Sequence, residues 1–313
     1  MTGATATPEL AAFATVRRGL TRQALHRFAH RPLAVGALTV VVLILVAGAF
    51  AQVIAPNGWN AINLSPSVIH HAPELSHPFG TDEIGRDMLV RTLYAIRTTE
   101  EVALAAALLA TLIGVLVGAL AGYYGGWLDA IVMRLADLVT AYPAVVLTLA
   151  AIVYVGEAYP HNLIFIFGGY MWAVVARVVR AHVATLRNTD FVDAARALGA
   201  SDLRIIFRHL LPNAGGTILV AATSLIGQII LIDATVEFFS YGLPASVNPS
   251  LGNLVADVVK FKFGLAGSSW VVPGSTSWWT WIFPGLALVL ILVCVNLVGD
   301  ALDAAFNPAI SRA

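Results

Sequence analysis

Asp233 and Glu237 stand four residues apart in the run Thr217 to Phe239, which carries no other charge. In a helix that spacing puts both carboxylates on one face. Acids within an apolar helix are costly and face a cavity or a partner. The pair reads in two ways: as the lining of a polar path, or as structure, with Glu237 at a membrane interface and Asp233 bonded to a neighbouring helix. Arg134 and Asp137, three residues apart, read as a local ion pair. His70, His71 and His77 share one segment with Glu74, residue types that hold a metal only in a defined geometry; solvated loop histidines are the plainer reading. His182 and His209 read as surface or loop-packing residues. Catalysis finds no footing, since there is no nucleophile-elbow sequence and no convergent Ser-His-Asp set. Lys260 and Lys262 are the only lysines, and neither follows the glycines of a phosphate-cradling Gly-x-x-x-x-Gly-Lys-Ser/Thr loop. The expectation is a chain that is not an enzyme and holds no cofactor.

The elements that must position these residues follow from composition. Of 313 residues 58% are apolar and 12% charged, and the mean hydropathy is +0.81. Soluble domains sit near half apolar and about a quarter charged, so this chain needs lipid as its solvent. Eighteen basic and eighteen acidic residues cancel, which gives no hint of nucleic acid. The single Cys294 cannot form an internal disulfide and reads as a small hydrophobe.

A bilayer core is crossed by about 20 apolar residues in a helix. Six runs qualify: Leu33 to Ile54, Val102 to Tyr123, Leu128 to Val155, Leu163 to His182, Thr217 to Phe239 and Trp281 to Ala301. The predicted fold is therefore all-α, with a tail over 1–31 and a six-span transmembrane domain over 32–313. Arg17, Arg18, Arg22, Arg27 and Arg31 precede the first span, and Arg177, Arg180, Arg187, Arg196, Arg204 and Arg208 lie between the end of the fourth and the fifth. The positive-inside rule places both segments, and with six spans both termini, in the cytoplasm. The first span has about 22 apolar residues, beyond the 7–15 of a signal peptide, and reads as a retained anchor despite Ala47-Gly48-Ala49.

The loop over 188–212, NTDFVDAARALGASDLRIIFRHLLP, reads as two short helices with a hinge. Thr189 or Asp190 can cap the first, with Asp193 in capping-box style. Gly199 supplies the left-handed residue that ends it. Ser201 starts a second helix, Asp202 to Leu211, which Pro212 closes. Ala194, Ala195 and Ala197 make one surface small enough for a protein cleft to approach, although an ordinary cytoplasmic helical hairpin would show the same pattern.

The loop resembles the EAA loop of ABC-transporter inner-membrane permeases. Asp193-Ala194-Ala195, Gly199, Leu211 and Pro212 fall at that pattern's spacings, with Asp193 replacing glutamate and His209 replacing isoleucine. Further matches to the peptide and nickel permease family run in order along the chain after residue 30. They are His77 to Asp87, Gly125 to Asp129, Met133 to Asp137, Pro249 to Asn253, Phe283-Pro284-Gly285, and Asn296, Gly299, Asp300 and Leu302. Together they are similar to the second permease subunit of dipeptide and oligopeptide importers. Departures are Pro244, where a second glycine is usual, and a tryptophan-rich segment over 265–279.

The resemblance implies a type I ABC importer permease in a bacterial plasma (inner) membrane, half of a peptide pathway. It implies partners: a second permease subunit in a heterodimer, ATP-binding subunits or domains, an extracytoplasmic substrate-binding protein and the bilayer. ATP is then hydrolysed by a partner, and Asp193, Ala194, Ala195, Gly199, Leu211 and Pro212 couple to it. Asp233 and Glu237, if they line the path, could meet a peptide's amino terminus. A nickel or other small-solute permease is an alternative within the class, and a proton-driven secondary carrier one outside it.

Overall fold

The computed structural model describes residues 23–56, 58–156, 159–239, 241–243, 248–256 and 277–306. Residues 1–22 of the tail, Pro244, Lys260, Lys262 and residues 265–276 of the tryptophan-rich segment lie outside them. Among the described residues the elements are helical: α1 (Pro32–Ala49), α2 (Ala51–Ile54), α3 (Met88–Tyr124), α4 (Gly126–Thr140), α5 (Ala144–Val155), α6 (Pro160–Leu186), α7 (Asp190–Ala197), then α9 (Gly215–Phe238) and α10 (Trp279–Phe306). Between α7 and α9, Asp202–Arg204, a π-helical segment Ile205–Leu210 and Leu211–Asn213 follow one another and are together called α8. Five helices are long and apolar enough to cross a membrane, or six if the bent pair α4–α5 counts as one span. The molecule is a multi-pass membrane protein.

The backbone of the bundle is the pair α3 and α6. α3 runs 37 residues, about 55 Å at 1.5 Å per residue. It starts well before the expected Val102 because Asp87 caps it: the Asp87 carboxylate accepts from the Leu89 N–H at 2.8 Å and the Val90 N–H at 3.1 Å. Gly114, Gly118 and Gly122 form a stripe of period four along its inward face. A Cβ at these positions would lie 2.7 Å from Val175 Cβ, 2.5 Å from the Ala176 carbonyl oxygen and 2.7 Å from the Arg180 carbonyl oxygen. Gly118 and Gly122 thus meet Ala176 and Arg180 at a constant offset, so the helices are parallel and in near backbone contact. Lipid offers no hydrophobic force between helices, and small residues supply the packing instead.

The expected third span, Leu128 to Val155, is not one straight helix. It breaks between Thr140 and Ala144, and its halves are bent by 85°. Pro143 is the cause: it has no N–H to donate and its ring clashes with a continuing helix. Both halves are strapped to α6. Arg180 donates through Nε to Asp129 at 2.8 Å and through a second N–H to the same carboxylate. Arg177 reaches Asp137 at 3.1 Å, the Ala136 carbonyl at 3.1 Å and the Thr140 hydroxyl. The expected local pair of Arg134 with Asp137 therefore gives way to a pair between helices. On α5, Thr148 shares a hydroxyl hydrogen bond with Tyr170 of α6 at 3.1 Å.

α9 and α10 pack against each other and against α3. α1 lies beside α10, where Ala34 and Ala37 meet buried Cys294, Val298 and Ala301. At the end opposite the loop, the segment before α3 is fixed by a charged knot. Asp82, 1% exposed, accepts from Arg86 at 2.6 Å and from Arg91 at 2.7 Å. Trp279 of α10 donates to the Thr81 carbonyl at 3.0 Å, and Phe79 stacks on Phe283 at 4.2 Å.

Candidate functional site

The loop after α6 folds as the spacing predicts, with corrections in detail. Thr189 and Ser201 occupy the N-cap positions of α7 and α8, yet neither side chain caps. Thr189 instead donates to the Leu186 carbonyl at 2.6 Å. Asp193 makes no capping box; it accepts from Arg196 at 3.2 Å on the surface. Gly199 has φ +77°. The Gly199 N–H donates to the Arg196 carbonyl at 2.9 Å and the Ala200 N–H to the Ala195 carbonyl at 3.0 Å. Those two bonds define a Schellman end, which needs a left-handed residue at the Gly199 position. In α8 the π-helical segment directly precedes Leu211 and Pro212, and the Asn213 amide satisfies the His209 carbonyl at 2.7 Å. Leu211 packs partly buried against the core.

One face of this hairpin is closed and the other is open. Val192, Ile205, Ile206 and Leu210 are buried together with Tyr123 of α3. Ala195 belongs to that inner face, so the three alanines do not form a single outward surface. Asp193, Ala194 and Ala197 point outward, beside Leu198 at 88% exposed, Leu203 at 59% and Phe207 at 50%. These three large apolar side chains sit among the arginines of a loop, outside the long apolar helices. The sequence pattern did not single them out. Their signal was present as apolar residues falling off the buried face of two short amphipathic helices.

The hairpin is held to the bundle through the last turn of α3. The Tyr123 hydroxyl donates to Asp202 at 2.6 Å, and the Arg196 guanidinium lies 5.6 Å from the centre of the Tyr123 ring. Arg187, just past α6, donates to the carbonyls of Gly122 at 3.0 Å and Tyr123 at 3.1 Å, filling orphan acceptors at that helix end.

The two acids of α9 are both 1% exposed, one turn apart as the spacing requires. Glu237 is enclosed by protein. Its Oε2 accepts from the Ser250 hydroxyl at 2.5 Å, and Gly242 and Gly252 leave room for its side chain: a Cβ there would meet it at 2.2 and 2.3 Å. Glu237 thus fastens the segment 249–253 to α9. Asp233 makes no bond through its Oδ1, and Glu237 none through its Oε1. A further buried acid, Glu100 of α3, was hidden because it lies just before the expected second span, Val102 to Tyr123. It lines a cavity of about 200 Å³ between α1, α3, α9 and α10, whose other lining residues carry no charge.

The histidines do not converge. His77 bonds Asp87 at 2.8 Å, His70 bonds Ser277 at 2.9 Å, and His71 lies 3.8 Å from Glu74. Among the described residues no three or more of His, Cys, Asp and Glu are placed to hold a metal.

Comparisons with known proteins agree with this architecture. Residues 114–312 match the family described as "Binding-protein-dependent transport system inner membrane component". Residues 19–73 match the "N-terminal TM domain of oligopeptide transport permease C". The chain is 35% identical to the oligopeptide transport system permease protein OppC of Escherichia coli, covering 93% of this chain and 92% of that one. It is 34% identical to a putative peptide transport system permease protein of Brucella abortus over 89% of this chain and 88% of the other. The dipeptide transport system permease protein DppC of Alkalihalophilus pseudofirmus is 31% identical, over 92% and 89%. Among solved structures, an inward-facing MetNI methionine ABC transporter aligns with TM-score 0.50 and 20% identity, covering 70% of this chain and 96% of that one, a likeness of fold alone.

Proposed function

This chain belongs to the family of binding-protein-dependent transport system inner membrane components, and from that premise we propose that it forms one half of the membrane pathway of an ABC importer for di- and oligopeptides. A second permease subunit completes the pathway as a heterodimer. ATP-binding subunits hydrolyse the ATP, so no cofactor need reside in this chain, and an extracytoplasmic binding protein delivers the peptide. The peptide substrate is supported by the names of relatives that match along nearly the full length. The arginine-rich segments support a cytoplasmic position for both termini and for the loop over 188–212 in a bacterial cell.

The observation that carries the mechanism is the open face of the loop. Leu198, Leu203 and Phe207 are exposed on a folded, arginine-flanked hairpin outside the apolar spans. Large exposed apolar groups rimmed by charge mark a protein interface. The hairpin supplies a rigid protrusion, and Ala194 and Ala197 beside it allow close approach. The ATPase closes and opens as a rigid body, and the hairpin passes that motion to the helices it is built on. Asp193 offers a charge at the rim.

The test is peptide uptake together with recovery of the ATPase on pull-down. The double variant Leu198→Asp/Leu203→Asp is expected to insert normally, lose the ATPase and lose uptake. An Arg312→Ala control should behave as wild type. Wild-type uptake by the double variant would reduce the loop to a connector.

A further inference from the structure

We propose that Tyr123 is the positioning residue that turns movement of the cytoplasmic hairpin into movement of α3, an assignment that rests on the ABC-permease reading above. The two arms of the hairpin, α7 and α8, meet at Gly199, where the backbone is left-handed and a Cβ would find no atom within 4 Å. Nothing packs on the joint itself, so the angle between the arms is set by what both arms touch: their shared buried face and Tyr123. Tyr123 touches both arms. Its ring lies under Arg196 of α7, and its hydroxyl bonds Asp202 in the first turn of α8. Tyr123 is 7% exposed and held in place by its packing, while its hydroxyl reaches out to the exposed Asp202 in a charge-assisted bond.

Tyr123 also stands at the point of α3 best placed to receive a push. Arg187 grips the carbonyls of Gly122 and Tyr123 itself, which ties the same turn to the end of α6. From there α3 runs unbroken to Asp87, locked to α6 by the Gly114, Gly118 and Gly122 contacts. Its far end is held by the knot of Asp82 with Arg91. A displacement of both arms is thereby delivered to one rigid helix pair that reaches across the membrane. Without the Tyr123 hydroxyl bond the hairpin keeps its outward face, since Leu198, Leu203 and Phe207 take no part in it. Such a hairpin would still hold the ATPase, but would pass its motion to α3 less completely, through the apolar contacts of its inner face alone. The neighbouring Tyr124, 48% exposed, provides a matched control.

The experiment compares Tyr123→Phe, Asp202→Ala, Asp202→Asn, the Tyr123→Phe/Asp202→Ala double variant and Tyr124→Phe in the complete transporter reconstituted with its binding protein. The readouts are peptide moved per ATP hydrolysed and ATPase subunit recovered. Removing one charge-assisted bond is expected to lower peptide per ATP about tenfold in Tyr123→Phe and in Asp202→Ala. The double variant should be no worse than either single one, because both remove the same bond. Asp202→Asn keeps an acceptor and should recover most of the ratio, and Tyr124→Phe should match wild type. ATPase recovery should stay at the wild-type amount throughout. A wild-type ratio in Tyr123→Phe, or effects of the two single variants that multiply, overturns the relay. Loss of the ATPase from Tyr123→Phe also overturns it, since the residue would then shape the docking face. If the wild-type chain itself recovers no ATPase, the transporter reading fails first and the relay with it.

Discussion

Adding a single methyl group at Gly118 should loosen the bundle, while the same change at Gly169 should not. A Cβ at Gly118 would lie 2.5 Å from the Ala176 carbonyl oxygen and 2.9 Å from its Cα, both backbone atoms that cannot rotate away. A carbon resting on a carbonyl oxygen settles at about 3.3–3.6 Å, so α3 and α6 must part locally by about 1 Å. Gly114 and Gly122, one turn to either side, hold equally close contacts that this separation would open. Overpacking of this kind costs about 1–3 kcal/mol. Gly169 lies in the middle of α6 with no atom within 4 Å of its would-be Cβ. There the substitution meets only helix propensity, which favours alanine over glycine by up to about 1 kcal/mol. Gly118→Ala and Gly169→Ala should therefore shift thermal unfolding of the purified transporter in opposite directions, Gly118→Ala downward and Gly169→Ala level or upward. A Gly118→Ala protein that melts at or above wild type would refute the close packing of α3 on α6.

Three further outcomes follow from the same geometry. At Gly199 the penalty is torsional and not steric, so uptake should fall in the order Gly, Asn, Ala, Val, with Gly199→Val bearing about 1–2 kcal/mol or more of backbone strain at normal membrane levels; wild-type uptake from Gly199→Val would contradict the left-handed end of α7. Arg180→Lys should destabilise nearly as much as Arg180→Ala, because a single ammonium cannot reproduce the forked grip on Asp129; full stability of the lysine variant in a melting assay would count against it. Asp233→Asn should leave the melting temperature level or raised, since it removes an ionisable group from a buried site whose Oδ1 makes no hydrogen bond; a clear fall would show a bond that this account lacks.

Much of the fold was legible because hydropathy reports where lipid must be. Each of the six runs falls on a helix or, for the third, on the bent pair. Gly199 was legible because only one backbone conformation ends a helix that way, and glycine marks it. The bend at Pro143 was not, since an average over Leu128 to Val155 is blind to direction. Arg134 and Asp137 misled because spacing along a helix counts only neighbours on that helix, whereas Arg177 arrives from α6. Ala195 was assigned outward by composition, and only the packing of Val192 and Ile205 shows which side of α7 is inward. Tyr123 carries no motif of its own. Its partners, Arg196 and Asp202, lie more than 70 residues away and come to it only through folding.

The central claim is that the hairpin's exposed apolar face is where an ATPase sits. A photo-crosslinking amino acid placed at Leu198, and separately at Phe207, tests it in the intact membrane. Tyr154 on α5, 93% exposed at the other end of the bent span, is the control. The account predicts an adduct with the ATP-binding subunit from positions 198 and 207 and none from 154. Adducts to lipid or to the second permease alone from position 198, with no ATP-binding subunit, would contradict it.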